Sequence, residues 1–326
     1  MKKFGKWWIV IGIFFLIVLL SKDCVLKTVV TTVGSSVIGA QIKMKKFSLG
    51  LLTQKVRIKG LTIDNPAGFE KRPFIEIPEL IIHCHLLALL KGEIHIPLAV
   101  LDLKRMTVVK NERKELNVDS LKIVQQIYCF SSGLRKGEGS IIPKRSRLHL
   151  HIDLLKLNIG QVIVKDYSKG RPPVIRAYEV DLKNKTFHDI KGVSHLATLV
   201  ITQAMKPAAI KGAGIYAAAA LTGVGLIPAG VVGVIAAKDD ASAEILLRFK
   251  EVFHQSLTFA RETGVLKKSD QGRGIISAKI QGCDVKITIE KISFRKTKLN
   301  VSARKFFVPK RSVAGGILHQ IRERLE

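Results

Sequence analysis

The histidines are the residues of this sequence that come nearest to forming a metal-binding site. They fall in two groups on predicted strands. The groups are His83 and His85 with His95, and His149 and His151 with Asp153. Side chains two positions apart on a strand share a face, so each group offers two metal ligands. A metal centre needs more ligands than that, and neighbouring histidines at a sheet edge are common without a metal. We therefore expect solvated strand faces, with no metal site and no cofactor.

Signals for enzymatic chemistry are missing from the sequence. No nucleophile elbow, P-loop or dinucleotide-binding glycine motif follows a predicted strand and precedes a helix. Paired carboxylates are scarce because 26 acidic residues face 54 basic ones, and Asp239 with Asp240 suits an element boundary better than a catalytic dyad. The sequence predicts a protein that is not an enzyme.

The formal net charge of +28 predicts a polyanionic partner. Nucleic acid and an anionic membrane surface both fit such a charge. Aromatic residues make up only 6% of the chain, and no RNA-binding aromatic motif occurs. The apolar run from Trp7 to Leu20 favours the membrane, because a nucleic-acid-binding protein has no need of it. We expect membrane lipid as the partner, with anionic phospholipid favoured over nucleic acid.

The same run predicts a membrane anchor over residues 1–23. Its fourteen uncharged residues are few for a spanning helix and also fit a signal-peptide core. A small-residue cleavage pattern is missing after the run, so an uncleaved anchor with a cytoplasmic N-terminus is preferred. Lys6, Trp7, Trp8 and Lys22 are then expected at the membrane interface, where lysine snorkels and tryptophan is enriched.

The segment from Lys55 to Lys104 carries the alternating apolar residues of half-buried antiparallel strands. Changes of phase at Gly60 and Pro78 predict bulges or a sheet edge. We expect the shared apolar face of these strands to form a groove for lipid acyl chains, roughly 40–50 Å long if eight to ten strands contribute. The residues expected to line it are Val56, Ile58, Leu61, Ile63, Ile75, Ile77, Leu80, Ile82, Ile94 and Ile96.

Three motifs follow the anchor and a predicted amphipathic helix in a distinctive order. They are KVRIKGLTIDNPAGF (55–69), IEIPEL (75–80) and HLLALLKGEIHI (85–96). This order resembles the start of the AsmA-like proteins of the Gram-negative envelope, over residues 1–125 and more loosely to 205. The resemblance implies a periplasmic β-sheet groove anchored in the inner membrane. It also implies a link to outer-membrane biogenesis and, for longer relatives, to lipid movement between membranes.

Other patterns predict the remaining elements. Apolar residues at helical spacing over residues 24–43 predict a helix that caps the sheet or lies on the membrane surface. They are Leu26, Val29, Val30, Val33, Val37 and Ile42. Further helices are predicted over 117–130, 193–205, 251–262 and 312–325, and further strands over 147–167, 174–182, 244–249, 274–280, 284–292 and 298–303. A basic, Gly- and Ser-rich loop is predicted over 131–147.

Residues 212–237 are rich in Gly and Ala and carry no charge. They fit a second spanning helix, a membrane-lying hairpin that turns at Pro228, or a helical hairpin packed on protein; small residues favour a hairpin. A second membrane contact at this segment stays open.

Three motifs follow the Gly/Ala-rich segment: ASAEILLRFKEVFHQSL (241–257), GRGIISAKIQGCDVKITIEKI (272–292) and GGILHQIRERL (315–325). Together they resemble a small domain of unknown function found in exported lipoproteins.

The predicted fold class is α+β, in four parts. The parts are an anchor (1–23), an antiparallel β-groove domain with a few helices (24–206), a Gly/Ala-rich segment (207–240) and a small α+β sandwich (241–326). The cysteines, at 24, 84, 129 and 283, lack metal-site spacing and predict no pairing.

Two functions fit this organisation. The first is an inner-membrane-anchored, mostly periplasmic protein that binds or shields lipid acyl chains during envelope biogenesis. The second is a non-transporting scaffold whose strand residues are plain core and whose C-terminal unit recruits an envelope protein or a second copy. The lipid, the partner and the oligomeric state are not encoded in a recognisable motif.

Overall fold

The computed structural model describes residues 4–85, 88, 93–125, 149–208, 240–306 and 308–325. These ranges contain two β-sheets and four long α-helices, so the predicted α+β class is confirmed. The helices are α1 (Phe4–Ile38), α2 (Gly192–Met205), α3 (Phe249–Thr263) and α4 (Arg311–Leu325). The predicted loop over 131–147 and the segment 212–237 lie outside the described residues.

The first sheet contains seven strands, and β3 pairs with both β1 and β2 at one edge. Its strands are β1 (Ile42–Lys43), β2 (Lys46–Gly50), β3 (Lys55–Asp64), β4 (Pro73–His83), β5 (Glu93–Lys110), β6 (His149–Asp166) and β7 (Val174–Lys191). From β3 to β7 the strands are adjacent in chain order. We call the end that holds His83 and the start of β6 the His83 end, and the opposite end the Asp166 end.

One pairing in this sheet departs from the predicted antiparallel arrangement, since β5 and β6 run parallel. A parallel pair requires the chain to return to its starting end, which takes a crossover of a dozen residues or more. Residues 111–148 separate the two strands and are long enough for that return. The local pattern of each strand does not reveal the direction of its neighbour.

The predicted change of phase at Gly60 is confirmed. Ile58 and Leu61 are both buried although three positions separate them. Gly60 has a φ of +61°, and the amide of Lys45, between β1 and β2, lies 3.1 Å from the carbonyl oxygen of Lys59 and 3.3 Å from that of Gly60. This is a β-bulge, which glycine permits because it adopts positive φ without steric cost.

Strands β5 and β6 change phase together. Pro97, which lacks an amide donor, interrupts the ladder on β5, and the buried positions of both strands shift by one residue there. The buried cross-strand pairs are Ile96 with Ile152, Ala99 with Leu155, Leu101 with Leu157, Leu103 with Ile159, and Met106 with Val162. The core face therefore stays continuous across the parallel pair.

The second sheet has six strands, and β8 pairs with β12. Its strands are β8 (Asp240–Ile245), β9 (Gly264–Asp270), β10 (Ile275–Ile280), β11 (Cys283–Ser293), β12 (Lys296–Lys305) and β13 (Val308–Pro309). The strand predicted over 244–249 ends earlier, because Phe249 begins α3 and stacks on Phe253 one turn later at 6.0 Å. Strand β9 was not predicted.

Helix α1 runs without interruption through the predicted boundary at residue 23. Lys22 Nζ donates a hydrogen bond to the Leu49 carbonyl at 2.7 Å, and the Leu49 amide donates to Asp23 Oδ1 at 3.0 Å. Its valines at 25, 29, 30, 33 and 37 are exposed, whereas Leu26 and Ile38 pack against the core of the first sheet, so another side of the helix makes the predicted cap. The helix predicted over 24–43 ends at Ile38, and Ile42–Lys43 form β1. Among the described residues, no helix meets the length and hydropathy needed to cross a membrane.

Helix α4 joins the two sheets. One side, with Val313 and Ile317, belongs to the core of the second sheet, while Gly315 and Gly316 lie against the outer face of β7. A Cβ on Gly316 would stand 2.2 Å from the carbonyl oxygen of Ile175. Only glycine at this position allows the helix backbone to approach the strand so closely.

We expect Gly316→Ala to lower the free energy of unfolding by about 1–3 kcal/mol, because the added methyl forces α4 away from β7. Gly272→Ala is the matched control, since its Cβ would meet nothing closer than 3.5 Å. Urea unfolding of the purified variants measures both effects. Equal free energies of unfolding for the two variants would contradict the close packing of α4 on β7.

Candidate functional site

The ten residues predicted to line a groove all belong to, or pack against, one apolar core. Five are buried: Ile58, Leu61, Ile75, Ile77 and Ile96. Five are half-buried and pack on that core: Val56, Ile63, Leu80, Ile82 and Ile94. They therefore share the inner face of the first sheet, and we call this surface the apolar face.

Part of the apolar face is covered by the chain itself. Helix α2 packs on β6 and β7, and residues 116–124 add a second group of buried side chains. The covering residues are Leu199, Val200, Ile201, Ala204 and Met205 of α2, and Leu116, Val118, Leu121, Ile123 and Val124. Of the helix predicted over 117–130, residues 117–125 are described: 122–125 are helical, while 117–121 form turns and a bend that lead into them.

Among the described residues, the less covered part of this face lies at the His83 end, on β3, β4 and β5. Val56 pairs with Ile82 across β3 and β4, while Leu80 and Ile94 lie on the same face nearby. All four side chains are half-buried. Within the described part of the chain, α2 packs on β6 and β7, whereas these four side chains of β3, β4 and β5 keep part of their surface exposed.

The predicted interface residue Lys22 lies at this same end. Its hydrogen-bond partner Leu49 pairs with Val56, the first half-buried residue of β3. Helix α1 passes from Ile38 near β1 to Lys22 near the end of β2, so the residues before Lys22 continue the helix beyond the His83 end. Lys6, Trp7 and Trp8 belong to that extension.

A polar cleft of about 710 Å³ opens at the Asp166 end of the sheet. It is lined by residues that include Glu70, Glu112, Tyr167 and Arg171. Arg171 pairs with Glu112 at 3.5 Å and lies over the Tyr167 ring at 5.9 Å, and with the other charged and polar side chains they make a largely polar wall. Such a lining does not suit an acyl chain.

No protein-family model matches the chain, and no curated protein matches it either. The AsmA-like resemblance and the resemblance of the C-terminal unit to a lipoprotein domain therefore stay predictions. The physical description of the site does not depend on them.

The outer face of the sheet brings together a side-chain cluster that sequence reasoning missed. His95 Nε2 lies 2.9 and 3.0 Å from the two carboxylate oxygens of Asp153, and His151 Nε2 lies 3.0 Å from Asp153 Oδ1. His95 belongs to β5, and the other two belong to β6. The sequence pattern groups His95 with His83 and His85, and His151 with His149 and Asp153. It does not reveal that β5 and β6 pair in parallel, which is what brings His95 beside His151.

A second charged cluster lies between the Asp166 end and α4. The side chain of Lys165 is only 7% exposed, and its Nζ lies 3.8 Å from Glu70 and 4.0 Å from Glu323. Arg72 pairs with both carboxylates, at 2.7 and 3.0 Å. Each buried charge has a partner, as burial in a low-dielectric interior requires, so these residues hold α4 in place rather than prepare a reaction.

His319 on α4 borders this cluster, 3.6 Å from Glu323. Burial, reinforced by the positive charges of Arg105 and Lys165, lowers its pKa to about 4 despite the attraction of Glu323. Above the ordinary pKa of 6.5 the ring is neutral in both the folded and unfolded chain. As the pH falls toward 4, the unfolded chain gains a proton that the folded chain does not bind, so stability is lost.

We expect His319→Gln to remove that part of the acid sensitivity. Between pH 7 and pH 4.5 the variant should lose about 2–3 kcal/mol less free energy of unfolding than the natural chain. Urea unfolding at the two pH values measures the difference. His254→Gln on α3, an exposed position, is the control and should leave the pH dependence unchanged. Parallel pH dependence in the natural chain and His319→Gln would contradict the burial argument.

Proposed function

We propose that this chain is an inner-membrane-anchored envelope protein of the AsmA-like type that binds or shields a lipid acyl chain. The observation that carries the proposal is the half-buried apolar patch of Val56, Leu80, Ile82 and Ile94 at the His83 end. Helix α1 continues toward its N-terminus past that same end. The predicted anchor and the patch that would receive the acyl chain are therefore adjacent.

The charge distribution supports an anionic lipid. Lys22 and Lys55 lie where α1 and β3 meet the His83 end, and the whole chain carries a net charge of +28. Each basic residue near an anionic bilayer contributes about 1 kcal/mol of attraction. A phospholipid headgroup at this end would meet positive charge while its hydrocarbon meets the apolar face.

The exposed valines of α1 also support contact with a membrane. Val25, Val29, Val33 and Val37 are spaced four residues apart, so they form one stripe along the helix. Apolar side chains arranged in this way are stable in the boundary between headgroups and hydrocarbon. Because α1 is unbroken from the predicted anchor to Ile38, the end of the stripe next to the anchor, at Val25 and Val29, is the part that would reach this boundary.

The size of the sheet limits what the protein can do with a lipid. Across the described residues the sheet is six strand positions wide, since β1 and β2 share an edge, which gives roughly 24 Å at about 4.8 Å per strand. The described strands therefore give about half of the predicted 40–50 Å, which assumed eight to ten strands. A sheet of this width suits uptake or shielding of a single lipid, and bridging two membranes would require a partner or self-assembly.

A non-transporting scaffold is the second candidate. It is favoured by the five groove candidates that are buried under the chain's own side chains, because those residues act as core. In this case the half-buried patch is the edge of the hydrophobic core and binds no lipid. An envelope protein or a second copy would then be recruited by another surface.

Ile82 and Ile81 offer a sharp test because they are neighbours on β4 and face opposite sides of the sheet. Ile82 packs against the core, while Ile81 is half-buried on the other face. We expect the natural chain, purified whole in mild detergent, to retain phospholipid that mass spectrometry detects. Ile82→Asp should reduce it at least about tenfold, since a carboxylate beside hydrocarbon costs several kcal/mol, and Ile81→Asp should keep it.

Circular dichroism and urea unfolding establish that both variants keep the fold. Equal retention of lipid in the two variants, or a natural chain that carries none, would leave the scaffold as the better account. A photoactivatable acyl chain gives an independent measurement, and its crosslinks should map to β3, β4 and β5.

The predicted location is tested by reporters that are active only in the periplasm. One is fused after Glu326 and the other is inserted within residues 131–147. We expect both to be active, because the proposal places the first sheet and the C-terminal unit on the same side of the membrane. Activity of the inner reporter alone would indicate that residues 212–237 cross the bilayer. Inactivity of both would contradict a periplasmic protein.

A further inference from the structure

We propose that His95, His151 and Asp153 form a binding site for a divalent transition-metal ion on the outer face of the first sheet. Zn²⁺ and its neighbours Co²⁺ and Ni²⁺ are the ions that two imidazoles and one carboxylate suit best. The site lies on the side of the sheet opposite to the apolar face, and its existence does not depend on the lipid proposal.

The distances match those of a coordination shell. The three ligand atoms all lie within 4.8 Å of one another, and the nitrogen–oxygen separations are 2.9–3.0 Å. Metal–ligand bonds of about 2.0–2.1 Å require neighbouring ligand atoms to be roughly 3.0–3.4 Å apart. An ion can therefore enter with small rotations of the three side chains.

The backbone fixes this arrangement. The parallel register pairs His95 with His151, and alternation along β6 puts His151 and Asp153 on one face. The residues behind them, Ile96 and Ile152, are buried as a cross-strand pair. Burial of those isoleucines holds the two histidines outward, so the ligands are positioned before an ion arrives.

A second carboxylate, on the next strand, lies near this group of three. Asp189 of β7 presents Oδ1 at 3.7 Å from His151 Nε2, while Lys191 holds its other oxygen at 2.9 Å. The side chains of His95, His151 and Asp153 are 39–45% exposed, which leaves room for water in the remaining positions. Three protein ligands with a water in the fourth position are typical of zinc sites that stay open.

The competing account is a hydrogen-bonded cluster in which two imidazoles share one carboxylate and no ion binds. Both accounts predict the same distances in the metal-free chain. They differ in the response to Zn²⁺, because a cluster without metal affinity gives neither saturable heat nor stabilisation.

The test uses the whole chain, purified without a histidine tag and titrated calorimetrically with Zn²⁺. We expect one saturable ion per chain, and no comparable binding of Mg²⁺, which prefers oxygen ligands. His151→Ala and Asp153→Asn should each weaken binding by at least about 100-fold, since even indirect changes around a metal cost about 10- to 100-fold. His254→Ala on α3 is the matched control and should bind as the natural chain does.

Two further measurements make the result independent of folding defects. Co²⁺ should give visible d–d absorption bands in the natural chain and in His254→Ala, and these should be lost in His151→Ala. Zn²⁺ should raise the Tm of the natural chain but not that of His151→Ala, although both melt cooperatively without metal. Absence of Zn²⁺ binding up to millimolar concentration, or equal binding by His151→Ala and His254→Ala, would overturn the proposal.

Discussion

The parallel pairing of β5 with β6 is the interaction on which the rest of the structure depends. Both strands have 18 residues and are paired along nearly their whole length, and their changes of phase coincide. A shift of one residue would turn every core side chain of one strand to the outer face. The same register that aligns Ile96 with Ile152 also places His95 opposite His151. The core and the cluster on the outer face therefore share one cause.

The second sheet adds a unit with its own core, and α4 connects it to the first. The helix is buried on two sides, with apolar residues toward the second sheet and two glycines toward β7. The ion pairs around Lys165 and Glu323 then fix the end of the helix. Close backbone packing and buried paired charges both tolerate little displacement, so the two units form a defined junction rather than a flexible one.

Local pattern was sufficient for much of the fold. Period-two alternation predicted the strands, Gly60 marked a bulge, and helical spacing placed α2 and α4 within a residue or two of their observed bounds. The ten apolar candidates share one face for the same reason, since alternation determines the side to which each residue points.

Long-range pairing could not be predicted in this way. The direction of β6 relative to β5, the docking of Gly316 on Ile175 and the meeting of His95 with Asp153 each join residues far apart in sequence. No local signal records such partners. The valines of α1 show the converse limit, because helical spacing predicted a helix correctly but could not tell whether its apolar stripe faces protein or solvent.

The unbroken course of α1 has a mechanical consequence. With 35 residues the helix is about 52 Å long, and it passes from its N-terminal run into the sheet contacts of Asp23 and Ser35 without an intervening linker. A stiff rod of this kind transmits orientation, whereas a flexible tether would allow the sheet to rotate freely. Any tilt imposed on the first turns of α1 would therefore turn the whole sheet by the same angle.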